Sequence, residues 1–192
     1  MEDETPKQVS EAGLDAWYAG LSSQDRVRTR RCLDGICTSS DIGFLNDLMA
    51  KAAEDSNYKL AVTAGRYIDG MELSDIDRFD STERYIEGLF GSDCYDEAKA
   101  MCLRNLDLYP KVRSVVEGRN GGVPKAMSCR NRLIDILVGV EGSYDEAFDV
   151  LDRYLEMGLI DEEELAYRKQ SLKVHRMQRS FDNIFSYRKK AE

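Results

Sequence analysis

His175 is the only histidine, and it stands among Lys173, Arg176 and Arg179. A general base needs an orienting carboxylate, and a metal site needs further ligands. The flanking sequence offers cations instead, which points to a surface or interhelical histidine. The cysteines, Cys32, Cys37, Cys94, Cys102 and Cys129, contain no Cys-x-x-Cys pair. Their spacing does not suit structural zinc, whose paired ligands lie roughly two to four residues apart. An odd set of thiols within or beside apolar helical patterns reads as reduced cytoplasmic cysteines filling small core spaces. The acidic clusters Asp75-Ile76-Asp77 and Asp161–Glu164 lack the central glycine and closing glutamate of a calcium loop. They read as the approach to one helix and the first turn of another. With no nucleophile–base pair, metal set or cofactor motif, the chain is expected to be non-enzymatic and to need no cofactor.

Two basic stretches carry the remaining chemistry. Residues 111–132 read KVRSVVEGRNGGVPKAMSCRNR, with Lys111, Arg113, Arg119, Lys125, Arg130 and Arg132 against one acid, Glu117. Gly121-Gly122 and Pro124 interrupt any helix there. A glycine-rich basic loop that opens onto a helix binds phosphate through free amides and the helix dipole. The Walker pattern is absent, and a plain interhelical insertion is the favoured reading, with an anion site as the alternative. The second stretch is C-terminal. From Ala166 to Lys190 eight Lys and Arg face one acid, a charge of +7 in a chain of net −9, which leaves −15 on residues 1–165. Cations interleaved with Tyr167, Phe181 and Tyr187 can grip nucleic acid or an acidic partner; equally, the basic helix can pack on the acidic body. Arg119, Lys125, Arg130, Lys173, Arg176 and Arg179 are the expected partner-binding residues.

The elements that must position these groups are helical. Residues 9–19 predict a first helix with Leu14, Trp17 and Tyr18. Ser22 or Ser23 caps a second that ends near Gly35, and Ser39 or Ser40 starts a third with Phe44, Leu45, Leu48 and Ala52 at core spacing. Helices follow over 57–68, 80–90, 95–109 (stopped by Pro110) and 126–140. Ser143 caps the next, where Ala147, Val150, Leu151, Tyr154 and Leu155 form the cleanest apolar stripe. From Asp161 a long basic helix, or two with a break near Ser180, is expected, with Leu165, Leu172, Met177, Phe181, Ile184 and Phe185 buried. No segment alternates with period two, so no sheet is expected. No run of about 18 apolar residues predicts a membrane span, and Met1–Thr5 lacks the apolar core of a secretory signal.

Three segments repeat a pattern: Tyr58-Lys59-Leu60-Ala61, Tyr95-Asp96-Glu97-Ala98 and Tyr144-Asp145-Glu146-Ala147, with tyrosine spacings of 37 and 49 residues. Tyrosine covers a hairpin turn, and alanine one turn later lets two helices approach. Tyr95–Pro110 and Tyr144–Leu159 resemble the second helix of a tetratricopeptide repeat, down to the terminal Pro110 in the first case. The first helices lack the family's Trp and Leu-Gly pair. The resemblance implies an all-α fold of stacked antiparallel helical hairpins, a tetratricopeptide-like α-solenoid of about nine or ten helices. Residues 1–8 would be an acidic flexible tail, and 9–192 one helical domain with an irregular basic loop at 111–125 and a basic helix at 161–190. The family generally binds protein segments in a groove. The expected function is therefore a cytoplasmic scaffold or adaptor for a partner chain. The alternative is a nucleic-acid or ribonucleoprotein component using the 111–132 loop and the C-terminal helix. On either reading, reversing Arg176 and Arg179 should change partner binding more than folding.

Overall fold

A computed structural model describes residues 4–38 and 40–189, with side chains to Phe181. The chain is all-helical over these residues, with ten α-helices and no strand among them. No described helix is long and apolar enough to cross a membrane. The first three are short: α1 (Lys7–Glu11), α2 (Asp15–Gly20) and α3 (Ser23–Arg31). The single helix expected over 9–19 is two, and the chain is already helical at Lys7, inside the expected 1–8 tail. Gly13 causes the break. It takes φ +70°, and Leu14 N–H reaches back to the Val9 carbonyl at 3.0 Å, which closes α1 with a left-handed cap.

Four longer helices follow: α4 (Asp41–Glu54), α5 (Tyr58–Asp69), α6 (Asp75–Gly91) and α7 (Tyr95–Asn120). Ser40 and Ser74 cap α4 and α6 by accepting from the backbone N–H of Gly43 and Asp77. The Ser74 cap starts α6 five residues ahead of the expected Asp80. Phe44, Leu45, Leu48, Met49 and Ala52 of α4 are fully buried, as are Leu60, Ala61 and Ala64 of α5 and Ile86 and Leu89 of α6.

α5 and α6 pack closely through small residues. A Cβ added at Gly88 would stand 2.9 Å from Ala61 Cβ and 3.3 Å from Val62 N; one at Gly65 would enter the Tyr85 ring, and one at Gly91 the Tyr58 ring. Residues 58, 61 and 65 thus meet 91, 88 and 85 in antiparallel order. Glu97 at the start of α7 ties the pair to its neighbour, accepting from Arg66 at 2.7 Å and from the Tyr85 hydroxyl. The Arg66 guanidinium holds Glu97 below the usual carboxylate range, while burial and Glu97 raise the Tyr85 phenol.

The turns of the repeated segments share one backbone. Ser56, Asp93 and Gly142 all lie in the left-handed region, at φ 55°, 59° and 71°. The next residues, Asn57, Cys94 and Ser143, all take φ between −84° and −92° and ψ between 54° and 65°. Tyr58, Tyr95 and Tyr144 then open their helices, and Ala61, Ala98 and Ala147 are fully buried. The tyrosine–alanine repeat therefore marks three equivalent helical hairpin turns.

α7 departs from the expectation. It passes through Pro110 to Asn120, so the irregular segment is residues 121–127 rather than 111–125. Proline forfeits one backbone hydrogen bond, at about 3 kcal/mol. Tyr109, Val112 and Val116 are at most 4% exposed along the same face, and each buried side chain of this size returns about 1.5–3 kcal/mol. Packing outweighs the local penalty. Glu117 adds a tie, accepting from the Tyr109 hydroxyl at 2.9 Å and from Arg113 at 2.7 Å. Burial and this carboxylate push the Tyr109 phenol up to about 12.

The last part comprises α8 (Ser128–Asp135), a π-helical stretch Ile136–Glu141, α9 (Tyr144–Glu156) and α10 (Glu162–Lys189). The chain divides into two compact units, Met1–Leu133 and Ile134–Glu192, instead of the single domain expected over 9–192. Beyond Ile134 the packing is largely local: α9 lies against the π-helical stretch and α10.

Ala98→Leu should lower stability by about 1–3 kcal/mol, because its site has no room for added methylenes; a denaturant melt with unchanged midpoint would contradict this. Ser56→Gly should act in the opposite direction, by roughly 0.5–1 kcal/mol, because glycine takes a positive φ without the Cβ penalty. Its thermal midpoint should rise.

Candidate interaction surface

Arg119, Lys125 and Arg130 belong to the first compact unit. Arg119, in the last turn of α7, donates to Asp80 at 2.8 Å. Lys125 is exposed in the turn before α8, and its carbonyl accepts from Arg130 Nη2 at 2.8 Å. Arg130 is 4% exposed, which removes it from the accessible surface on which it was expected. The amides that a phosphate would need at this loop are engaged from within. Glu83 of α6 reaches the N-terminus of α8 and accepts from the Ser128 and Cys129 backbone N–H, the latter at 3.2 Å. It also accepts from Asn105 Nδ2 at 2.7 Å. An internal carboxylate fills the place an external anion would take. Desolvation holds the Glu83 carboxyl above its ordinary range against the pull of these donors, and burial beside it raises the Cys129 thiol.

Lys173, Arg176 and Arg179 lie in the second unit, on α10. This helix runs antiparallel to α9, which it leaves through a turn closed by Gly158 (φ +67°), with Leu159 N–H donating to Tyr154 O at 2.8 Å. Leu159 and Ile160 are buried beneath the turn. Asp161 caps α10 by accepting from Glu164 N at 2.7 Å. Charges then bind the two helices side by side. Lys169 meets Asp152 at 2.5 Å, and Arg176 meets Asp145 at 2.8 Å while lying 5.8 Å from the Tyr144 ring centre. Arg179 donates to the Val138 carbonyl at 2.9 Å, one of the acceptors that a helix end leaves without an intrahelical donor. His175 Nδ1 lies 2.7 Å from the Tyr144 hydroxyl. Its partner is a phenol, and the arrangement is an interhelical tie.

The opposite face of α10 is where the expected burial fails. Leu172 is buried and Leu165 half-buried, both toward α9. Met177 and Phe181, expected inside, are 60% and 56% exposed, and they join Tyr167 (75%) and Val174 (44%). Ile184 and Phe185, also expected inside, lie outside the described side chains. Tyr167, Val174 and Phe181 are spaced by seven and Met177 follows Val174 by three, which places all four along one stripe. The sequence holds the signal: Leu165 and Leu172 form one seven-residue series, and Tyr167, Val174 and Phe181 form another, offset by two positions. Expecting Met177 and Phe181 inside with Leu165 and Leu172 joins residues of two faces. Between Phe148 of α9 and Met177 and Phe181 of α10 runs an open groove of about 630 Å³, edged by Lys173, Arg176 and Ser180. Its floor is apolar, and among the described residues its charged groups are both cations.

Among the described residues no group of three or more His, Cys, Asp or Glu is placed to hold a metal ion. The arrangement is suited to binding through shape, apolar contact and charge.

The geometry alters the expected effect of charge reversal. Arg179→Glu should lower the stability of the α9–α10 unit by about 1–2 kcal/mol, since the Val138 carbonyl loses its donor. Arg176→Glu, at an exposed pair, should cost under about 1 kcal/mol. Equal denaturation midpoints for the two variants would refute this ranking.

No protein-family model matches the sequence, and neither a curated protein nor a solved structure matches the chain.

Proposed function

We propose that this chain is a non-enzymatic scaffold or adaptor of divergent tetratricopeptide-like helical hairpins, working in the reducing cytoplasm, and that it contacts a partner protein through the outer face of α10. One observation carries the reading. Four large apolar side chains, Tyr167, Val174, Met177 and Phe181, stand exposed on a single helical stripe. Isolated exposed apolar residues are ordinary, whereas a continuous stripe marks an interaction surface. The three equivalent hairpin turns support the helical-repeat part of the reading, and five free thiols suit a reducing compartment.

A nucleic-acid role has less support. Non-specific affinity for a polyanion grows with the number of cations available to phosphates. Here Arg119, Lys169 and Arg176 pair with acids of the chain, Arg179 binds a carbonyl and Arg130 is buried.

A photoreactive benzoyl-phenylalanine placed at position 177 or 181 of the full chain, in its native cells, should yield protein adducts of discrete mass. The same group at the exposed Glu54 of α4 should not. Nucleic-acid adducts, or equal protein adducts at all three positions, would overturn the reading.

A further inference from the structure

The chemistry of the occupant follows from the same surface, on the reading just proposed. We infer that the groove between Phe148, Met177 and Phe181 receives an amphipathic helix of acidic character from a partner protein.

The first argument is shape. On α10 the groove is lined from Lys173 to Phe181, eight residue steps, about 12 Å of helix at 1.5 Å per residue. A partner helix of about two to three turns fills it. Phe148 rises from α9 opposite Met177 and Phe181 of α10, so the surface is a trough with apolar walls. A helix laid into a trough buries its apolar face on two sides, whereas a flat bilayer surface meets only the rims.

The second argument is charge. Among the described residues that line the groove, Phe148, Met177 and Phe181 are apolar, Ser180 is neutral, Lys173 and Arg176 are cationic, and none is acidic. Arg176 is already paired with Asp145 at 2.8 Å, so Lys173 is the cation a partner meets at the groove edge. A glutamate or aspartate of the partner set against Lys173 gains attraction, and a lysine there meets like charge.

The third argument concerns a second copy of the chain. The midpoint of the Tyr167–Phe181 stripe is Val174, next to Lys173. Two α10 helices paired antiparallel on this stripe bring Lys173 beside the Lys173 of the other copy, like charge against like at the centre. A parallel pair sets Lys173 against Gln178 of the other copy instead, and the light-scattering measurement below tests that arrangement.

The test uses the full chain and a display library of helical peptides about five turns long. Apolar residues are fixed at i, i+3, i+4 and i+7 spacing, and the other positions are drawn equally from Glu, Gln and Lys. Selected peptides should be rich in Glu. Their affinity should fall about tenfold or more with Lys173→Glu, and likewise with the double substitution Met177→Glu and Phe181→Glu, with unchanged thermal midpoints. Raising salt should weaken binding. Selection of neutral or lysine-rich peptides, no selection at all, or binding untouched by these substitutions would overturn the inference. So would a dimer in light scattering that Met177→Glu dissolves, or adhesion to phosphatidylserine–phosphatidylcholine vesicles that the peptides fail to displace. Protein adducts at position 177 without acidic selection would leave the scaffold reading standing and remove only the acidic helix. Missing adducts would count against the scaffold reading itself.

Discussion

The closeness of α5 and α6 is the constraint on which the first unit depends. Two helices normally stand 8–10 Å apart, at a distance set by their contact side chains. Here glycine faces alanine where Gly88 meets Ala61, and the full rings of Tyr85 and Tyr58 lie over Gly65 and Gly91. The small residues give up side-chain volume so that the backbones and rings can fill it. That choice fixes the depth at which Tyr85 sits, and hence the point where its hydroxyl can meet Glu97 and Arg66. The polar tie among α5, α6 and α7 follows from a steric fact about glycine and alanine.

Internal groups repeatedly occupy places that a ligand could otherwise take. The amides at the start of α8 hold Glu83 of α6, and the carbonyl at Val138 holds Arg179 of α10. Both are helix ends, where unpaired backbone groups attract the opposite charge. Filling them from within joins elements distant in sequence. Several cations of the loop and of α10 are held in such internal ties, while Lys111, Arg113, Arg119, Lys125, Lys173 and Arg176 stay exposed. The electrostatic asymmetry of the chain is real, and much of it is consumed locally.

What the second unit leaves uncovered is apolar. α9 has 13 residues and α10 has 28, about 20 Å against about 42 Å. The shorter helix can shield one side of part of the longer one. Leu165 and Leu172 take that side, Met177 and Phe181 edge the open groove beside Phe148, and Tyr167 and Val174 stand exposed as well. An exposed stripe of this size is costly in water and resembles half of a contact.

Much of this was legible in the residues themselves. Helix-forming periodicity, serine caps at 22 and 40, and the tyrosine–alanine repeat specified an all-helical chain and located its hairpin turns, because these are local signals that act over one or two turns. The alanines announced their burial by their small size at fixed distance from a turn. Three features needed the tertiary structure. Pro110 lies inside α7 because the burial of Tyr109, Val112 and Val116, contributed by the rest of the unit, exceeds a local penalty. Glu83 caps α8 from 45 residues away, a distance at which no spacing rule operates. And the division of α10 into a covered and an open face depends on which side α9 takes. An apolar residue at a helical interval records that a face is to be buried, and only the packed neighbours decide whether this chain or another does the burying.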